Sequence, residues 1–162
     1  MQTTSRCQVK INDFTSKTEI RFSGSIDETF TMHDIRLDPS KAVEMNFAGI
    51  KSITSNGVRE WIKFIATVEN RDLFFVECTK VFIDQVNAVH GFYPGRAVIN
   101  SFYAPYFGSN SKTEKNILFT NGKDFSAETS NIPEEITEAD GEVFVLDVSE
   151  SKYFKFMKSK KL

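Results

Sequence analysis

The chain has 162 residues, 40% of them hydrophobic, and a formal net charge of −2. Sixteen phenylalanines can build a substantial core, which excludes a chain disordered throughout. So small a charge excludes the basic footprint that nucleic acid or an anionic membrane surface demands, and no apolar run approaches the ~20 residues needed to span a bilayer. Cys7 and Cys78 lie far apart with no disulfide framework around them, which points to a reduced, cytoplasmic setting. Residues 1–12 are polar with no apolar h-region, so no signal peptide is expected.

Residues 8–11 read as a short strand. Residues 18–23 alternate Ile20 and Phe22 with polar neighbours, the period of a half-buried strand, and Gly24-Ser25-Ile26-Asp27 is expected to break it. A third strand over 43–47 runs into a turn, and a small polar Thr54-Ser55-Asn56-Gly57 knot opens a helix. That helix places Val58, Trp61, Ile62, Ile65 and Val68 on one face at spacings of three and four. The nearly continuous apolar run over 72–78, with Leu73, Phe74, Phe75 and Val76, predicts a strand covered on both faces. A second helix carries Val81, Phe82, Val86 and Val89 inward and ends at Gly91, and residues 97–106 predict one more strand, stopped near Pro105. Strands separated by helices of this length indicate βαβ units with right-handed crossovers and parallel pairing.

Beyond Phe107 the character changes. Residues 108–115 are polar and turn-rich, 116–120 predict a short strand, and Asn121-Gly122 is a strong turn signal. The acidic stretch 124–140 reads as loops, 142–147 as a strand, and 149–157 as a short helix offering Tyr153, Phe154 and Phe156 for docking. Lysines at 152, 155, 158, 160 and 161 make a basic end that reads as a solubilising tail. The expected organisation is an α/β domain over 8–107, a β-rich appendage over 108–158 and a basic tail over 159–162.

The residues at the third junction carry a resemblance. Gly24-Ser25-Ile26-Asp27 stands where STAS domains have Gly-x-Ile/Leu-Asp after the second strand. Phe47-Ala48-Gly49-Ile50 followed by Ile53-Thr54-Ser55-Asn56-Gly57-Val58 stands where they have Asp-Ser-Ser-Gly-Leu. Residues 8–107 therefore resemble this fold of bacterial anti-sigma-factor antagonists and of the cytoplasmic tails of sulfate transporters. The resemblance implies a mixed sheet of four to five strands with helices mainly on one face. It also implies a signalling module whose serine, here Ser55, is phosphorylated by a kinase partner. Thr54 replaces the family's aspartate and Asn56 its second serine, while Gly57 is kept for the tight entry into the helix.

The region after β-strand 97–106 is similar to a zinc ribbon appended to some bacterial STAS-like proteins, with its ligands gone. Gly108 and Ser111 occupy the positions of a Cys-x-x-Cys knuckle, and 139–147 take the place of the second knuckle. Structural zinc needs a tetrahedral set of donors, usually Cys and His, so no metal is expected.

Each residue also has a plainer reading. Ser55 can be a regulatory phosphosite or simply the N-cap of the helix. Asp27 can face a partner or merely cap its own turn. Thr54 can accept phosphate or pack its methyl group. Trp61 reads as core, and Phe64, offset from the stripe, as a partner contact if exposed or as packing against the appendage. His33 and His90 have no ligand-type neighbours at metal spacing, Cys78 reads as an inert core thiol, and Glu134, Glu135, Glu138 and Asp140 lack the regular spacing of a calcium loop. No nucleophile elbow, Walker loop or dinucleotide fingerprint is present, so no enzyme activity and no cofactor are expected.

The expectation is thus a non-enzymatic cytoplasmic interaction module. Its partner-binding edge is Asp27, Thr54, Ser55, Asn56, Gly57, Arg59 and Glu60, with Ser55 as the regulatory residue. The expected partner is a serine kinase or anti-sigma-like regulator, or a second copy of the chain. A constitutive dimeric scaffold with a decayed switch, and a carrier of a nucleotide or lipid near the helix start, stay open as alternatives.

Overall fold

A computed structural model describes residues 6–32 and 35–158. The expectations for His33 and for the tail at 159–162 lie outside the described residues. Five strands form the first sheet: β1 (Gln8–Asp13), β2 (Lys17–Ile26), β3 (Ala42–Ile53), β4 (Leu73–Val76) and β5 (Ala97–Ile99). They lie in the order β1-β2-β3-β4-β5, with β1 antiparallel to β2 and the remaining neighbours parallel. The helices α1 (Ser55–Val68) and α2 (Lys80–Ala88) make the crossovers between β3, β4 and β5. Successive right-handed crossovers in one direction put both helices on one face. The aromatic contacts agree, because Trp61 of α1 and Phe82 of α2 both meet Phe47 and Phe75 of the sheet.

The core of this layer is an aromatic cluster around Trp61. Seven rings, from Phe22, Phe30, Phe47, Phe64, Phe75, Phe82 and Phe92, have centroids within 6.1 Å of it. The indole N–H is satisfied by the Phe92 carbonyl at 3.0 Å, as burial of so polar an edge requires. Because the helices cover only one face, β4 is not buried on both: Leu73 and Phe75 are fully covered, while Phe74 and Val76 point to the other side and are half-buried.

The apolar stripe of α1 is also rotated from the expected one. Gly57, Trp61, Phe64, Ile65 and Val68 are buried, and Val58 and Ile62 sit at the margin. Phe64 packs on Phe22, Phe30 and Trp61, rather than on the appendage, because the chain after β2 folds over the helix and brings Phe30 down onto it.

A second, antiparallel sheet follows, in the order β7-β6-β9-β8: β6 (Ser101–Gly108), β7 (Glu114–Thr120), β8 (Glu135–Thr137) and β9 (Val143–Leu146). The single strand expected over 97–106 is therefore two, divided at Asn100, with β5 in the first sheet and β6 central to the second. Pro105 does not stop β6. The strand runs on through it, and its carbonyl accepts from Asp147 N at 2.9 Å. The acidic stretch expected as loops contains β8, which exists by pairing with β9. Two single turns, α3 (Glu150–Tyr153) and α4 (Lys155–Lys158), replace the one short helix expected. They set Tyr153, Phe154 and Phe156 around Phe102, which also meets Phe119 and Phe125, so this sheet has an aromatic core of its own.

The turns expected as remnant knuckles face each other. Glu142 Oε1 accepts the Ser111 amide at 2.6 Å, and a Cβ on Gly108 would lie 2.6 Å from the same oxygen. Hydrogen bonds from Ser111 hold the Glu142 carboxyl below the ordinary glutamate range. Among the described residues, no group of three or more His, Cys, Asp or Glu is gathered as a metal site.

Candidate functional site

The expected edge is built where β2, β3 and α1 meet. β2 does not break at Gly24; it continues to Ile26 through two register shifts against β3. This length brings the Ile26 carbonyl to the start of α1, where it accepts Thr54 N at 3.0 Å. The approach is so close that a Cβ on Gly57 would stand 1.9 Å from the Ile26 oxygen and 2.9 Å from Asp27 N. Glycine is the one residue that permits this contact.

Thr54 is the N-cap. It is extended at φ −85° and ψ 165°, and its Oγ1 accepts Gly57 N at 3.0 Å while its carbonyl receives Val58 N at 2.9 Å. The cap role expected of Ser55 thus belongs to the residue before it, and Thr54 does more than pack a methyl group. Ser55 is the first helical residue and is exposed, as are Asn56 and Arg59. Arg59 lies four residues on, hence on the same side of the helix as Ser55. No acidic residue occupies the first turn, leaving the positive end of the helix dipole without a counter-charge of its own.

Asp27 closes the turn after β2. Its Oδ1 accepts both the Thr29 hydroxyl at 2.5 Å and the Thr29 amide at 2.8 Å, and these bonds hold its carboxyl below the usual aspartate range. It caps its own turn and also stands beside the α1 start, so the two readings of Asp27 coincide in one place. Glu60 departs from the group: it is paired with Lys63 at 3.0 Å and lines the groove under Phe30. The structure therefore gathers Asp27, Thr54, Ser55, Asn56 and Gly57, sets Arg59 one turn away, and sends Glu60 elsewhere.

A polar cluster that no motif announces lies at the end of β4. Glu77 is held at φ 50°, a conformation rare outside glycine. Its carboxylate accepts from Asn46 Nδ2 and from the Tyr103 hydroxyl at 3.1 Å, and its amide donates to Ser101 Oγ at 2.7 Å. Burial and the neighbouring Glu77 carboxylate push the Tyr103 phenol up. The one sequence signal was a charged residue directly after an apolar strand; its partners come from β3 and β6, far away in the chain. Cys78 beside it is fully buried in the core, which pushes its thiol well above the ordinary range, and Cys7 is pushed to about 11 by its own burial. Both are free thiols, and neither is poised for chemistry.

Among the described residues, no helix is long and apolar enough to cross a membrane. Comparison with known protein families, curated proteins and solved structures finds nothing that matches the chain.

Proposed function

We propose that the chain is a non-enzymatic, phosphoregulated protein-binding module that works through the edge formed by Asp27, Thr54, Ser55, Asn56 and Gly57. One observation carries this reading: two adjacent hydroxyls divide the work of the junction. Thr54 supplies the cap, so Ser55 stands exposed at the helix start with its hydroxyl uncommitted among the described residues. A helix N-terminus tolerates phosphate well, and here the first turn holds no competing carboxylate. Phosphorylation would add about −1.5 to −2 charges, with Arg59 one turn along to meet them. A partner docked on this edge then faces a new anion, which weakens the contact.

The resemblance to STAS domains supports the same residue and suggests a serine kinase or an anti-sigma-like regulator as the partner, in a cytoplasmic setting. Thr54 in place of the family aspartate fits a junction that is capped by a neutral hydroxyl. The test is phosphorylation by ATP-dependent kinases of the native cell, with the modified residue mapped. Modification is expected at Ser55 and lost in Ser55→Ala, and a partner captured by the wild type is expected to bind Ser55→Asp more weakly than Ser55→Ala. Phosphate that persists in Ser55→Ala, or equal binding by the two variants, refutes the proposal.

A further inference from the structure

β3 is longer than its neighbour on one side. β2 pairs along it as far as Ile53, whereas β4 covers the opposite edge only from Val43 to Asn46. At Val76 β4 ends, Glu77 turns the chain, and α2 departs onto the helix face. Residues 47–53, roughly 20 Å of strand, are left without a strand on that side. Outside the strand ladders, residues 48–53 make one described hydrogen bond through the backbone, from Ala48 N to Asn46 Oδ1 at 2.9 Å.

A cleft of about 450 Å³ opens against this edge. Ala48 and Ile50 form one wall, Lys80 and Val81 at the start of α2 form the end, and Tyr103 and Asn116 of the second sheet form the far side. Its two charged lining groups, Lys80 and Glu114, are opposite in sign, and Lys80 is already tied to Asp84 at 2.7 Å. Proteins normally pair, cover or charge an exposed strand edge. Backbone groups without a strand partner, beside a cleft whose lining is apolar and polar with its two charges opposite in sign, are complementary to another backbone.

We infer that the free edge of β3 takes an extended, uncharged peptide of a protein partner as an added strand, with alternate side chains lodged in the cleft. This rests on the reading of the chain as a protein-binding module and specifies the form its partner takes. β3 runs directly into Thr54 and Ser55, so a strand laid along 48–53 ends beside the Ser55 hydroxyl. Phosphate on Ser55 then places its charge at the terminus of the added strand.

The experiment uses the full chain and a phage-displayed library of random short peptides; the strongest binder is synthesised as the probe. Amide hydrogen exchange is followed with and without it. Amides within 48–53 are expected to slow by roughly tenfold or more when the peptide binds. Ala48→Arg, which fills the cleft, is expected to weaken binding by roughly tenfold at an unchanged unfolding midpoint. Should Ala48→Arg be unstable, Asn116→Trp closes the cleft from its far wall without touching β3.

Protection that appears only elsewhere, binding that ignores both substitutions, or a library that yields no binder above the background of an unrelated protein each overturns the inference. So does concentration-dependent protection of 48–53 in the protein alone, which assigns the edge to a second copy. Ser55→Asp separates this inference from the switch. Edge binding indifferent to Ser55→Asp keeps the added strand and removes the switch; a partner that responds to Ser55→Asp without protecting 48–53 does the reverse.

Discussion

The phenol of Tyr103, on the second sheet, donates to the carboxylate of Glu77, at the end of a strand of the first, across 3.1 Å. The same carboxylate accepts from Asn46, so one side chain ties β3, β4 and β6 together. Tyr103→Phe keeps the ring and removes only the donor. It is expected to cost about 1 kcal/mol, measured by denaturant unfolding, with exchange quickened in β6 and β7. The backbone of Glu77 adds a second measure: Glu77→Gly is expected to be more stable than Glu77→Ala by about 1 kcal/mol, since both lose the carboxylate but only glycine relieves the positive φ. Equal stability of the two would show that φ 50° is no burden.

Gly57 is tightly enclosed by backbone. Gly57→Ala places a methyl 1.9 Å from the Ile26 oxygen, against backbone that has nowhere to yield. A loss of about 3 kcal/mol or more is expected, at the upper end for single substitutions. Thermal unfolding decides it, and an alanine variant as stable as the wild type would contradict the close approach.

The assignment of the cap makes a sharp contrast between neighbours. Thr54→Val keeps the shape and loses the Gly57 hydrogen bond, at a cost of about 1 kcal/mol. Ser55→Ala is expected to change stability by no more than about 0.5 kcal/mol, as for other exposed positions. Chemical denaturation of the two variants side by side gives the order of the costs. The reverse order would return the cap to Ser55 and take away the free hydroxyl on which the switch depends.

Glu142 gives the second sheet a dependence on acid. Its native pKa is lowered by Ser111, so its contribution is fully present above the unfolded glutamate value of about 4.3 and is lost as pH falls through the lower native value. The Ser111 amide resonance is expected to titrate below the ordinary glutamate range in the wild type and to stay flat in Glu142→Gln. A midpoint at or above that range would remove the hydrogen-bonded clasp between the two turns.

What the amino-acid order revealed was local. The apolar run of β4, the 3.6-residue period of α1 and the strand-to-helix junction at Gly57 are each written within a few neighbouring residues, and they fix the α/β class. The details that failed depend on distant chain. Serine and threonine both cap helices well, and only the position at which the backbone leaves its extended form shows that Thr54 takes the role. The burial of Phe64 depends on Phe30 arriving from the β2–β3 connection. β8 has three residues, too few for any period, and is a strand because β9 is beside it. The Glu77 cluster spans 31 residues to Asn46 and 26 to Tyr103, separations that no motif can express.

The aromatic cluster around Trp61 has a spectroscopic consequence. Trp61 is the only tryptophan, and its seven ring neighbours all come from the first sheet, its helices and their connections. Tyr106 and Tyr153 are instead buried in the second core. The tryptophan thus belongs to the first half, where Tyr93 also packs on Phe75, whereas Tyr106 and Tyr153 belong to the second. Tryptophan emission follows the first half alone, and the near-ultraviolet signal that Tyr106 and Tyr153 contribute follows the second. Superimposed melting curves at the two wavelengths would mean that the sheets unfold as one cooperative body; separated curves would measure how much of the coupling Glu77 and Tyr103 provide.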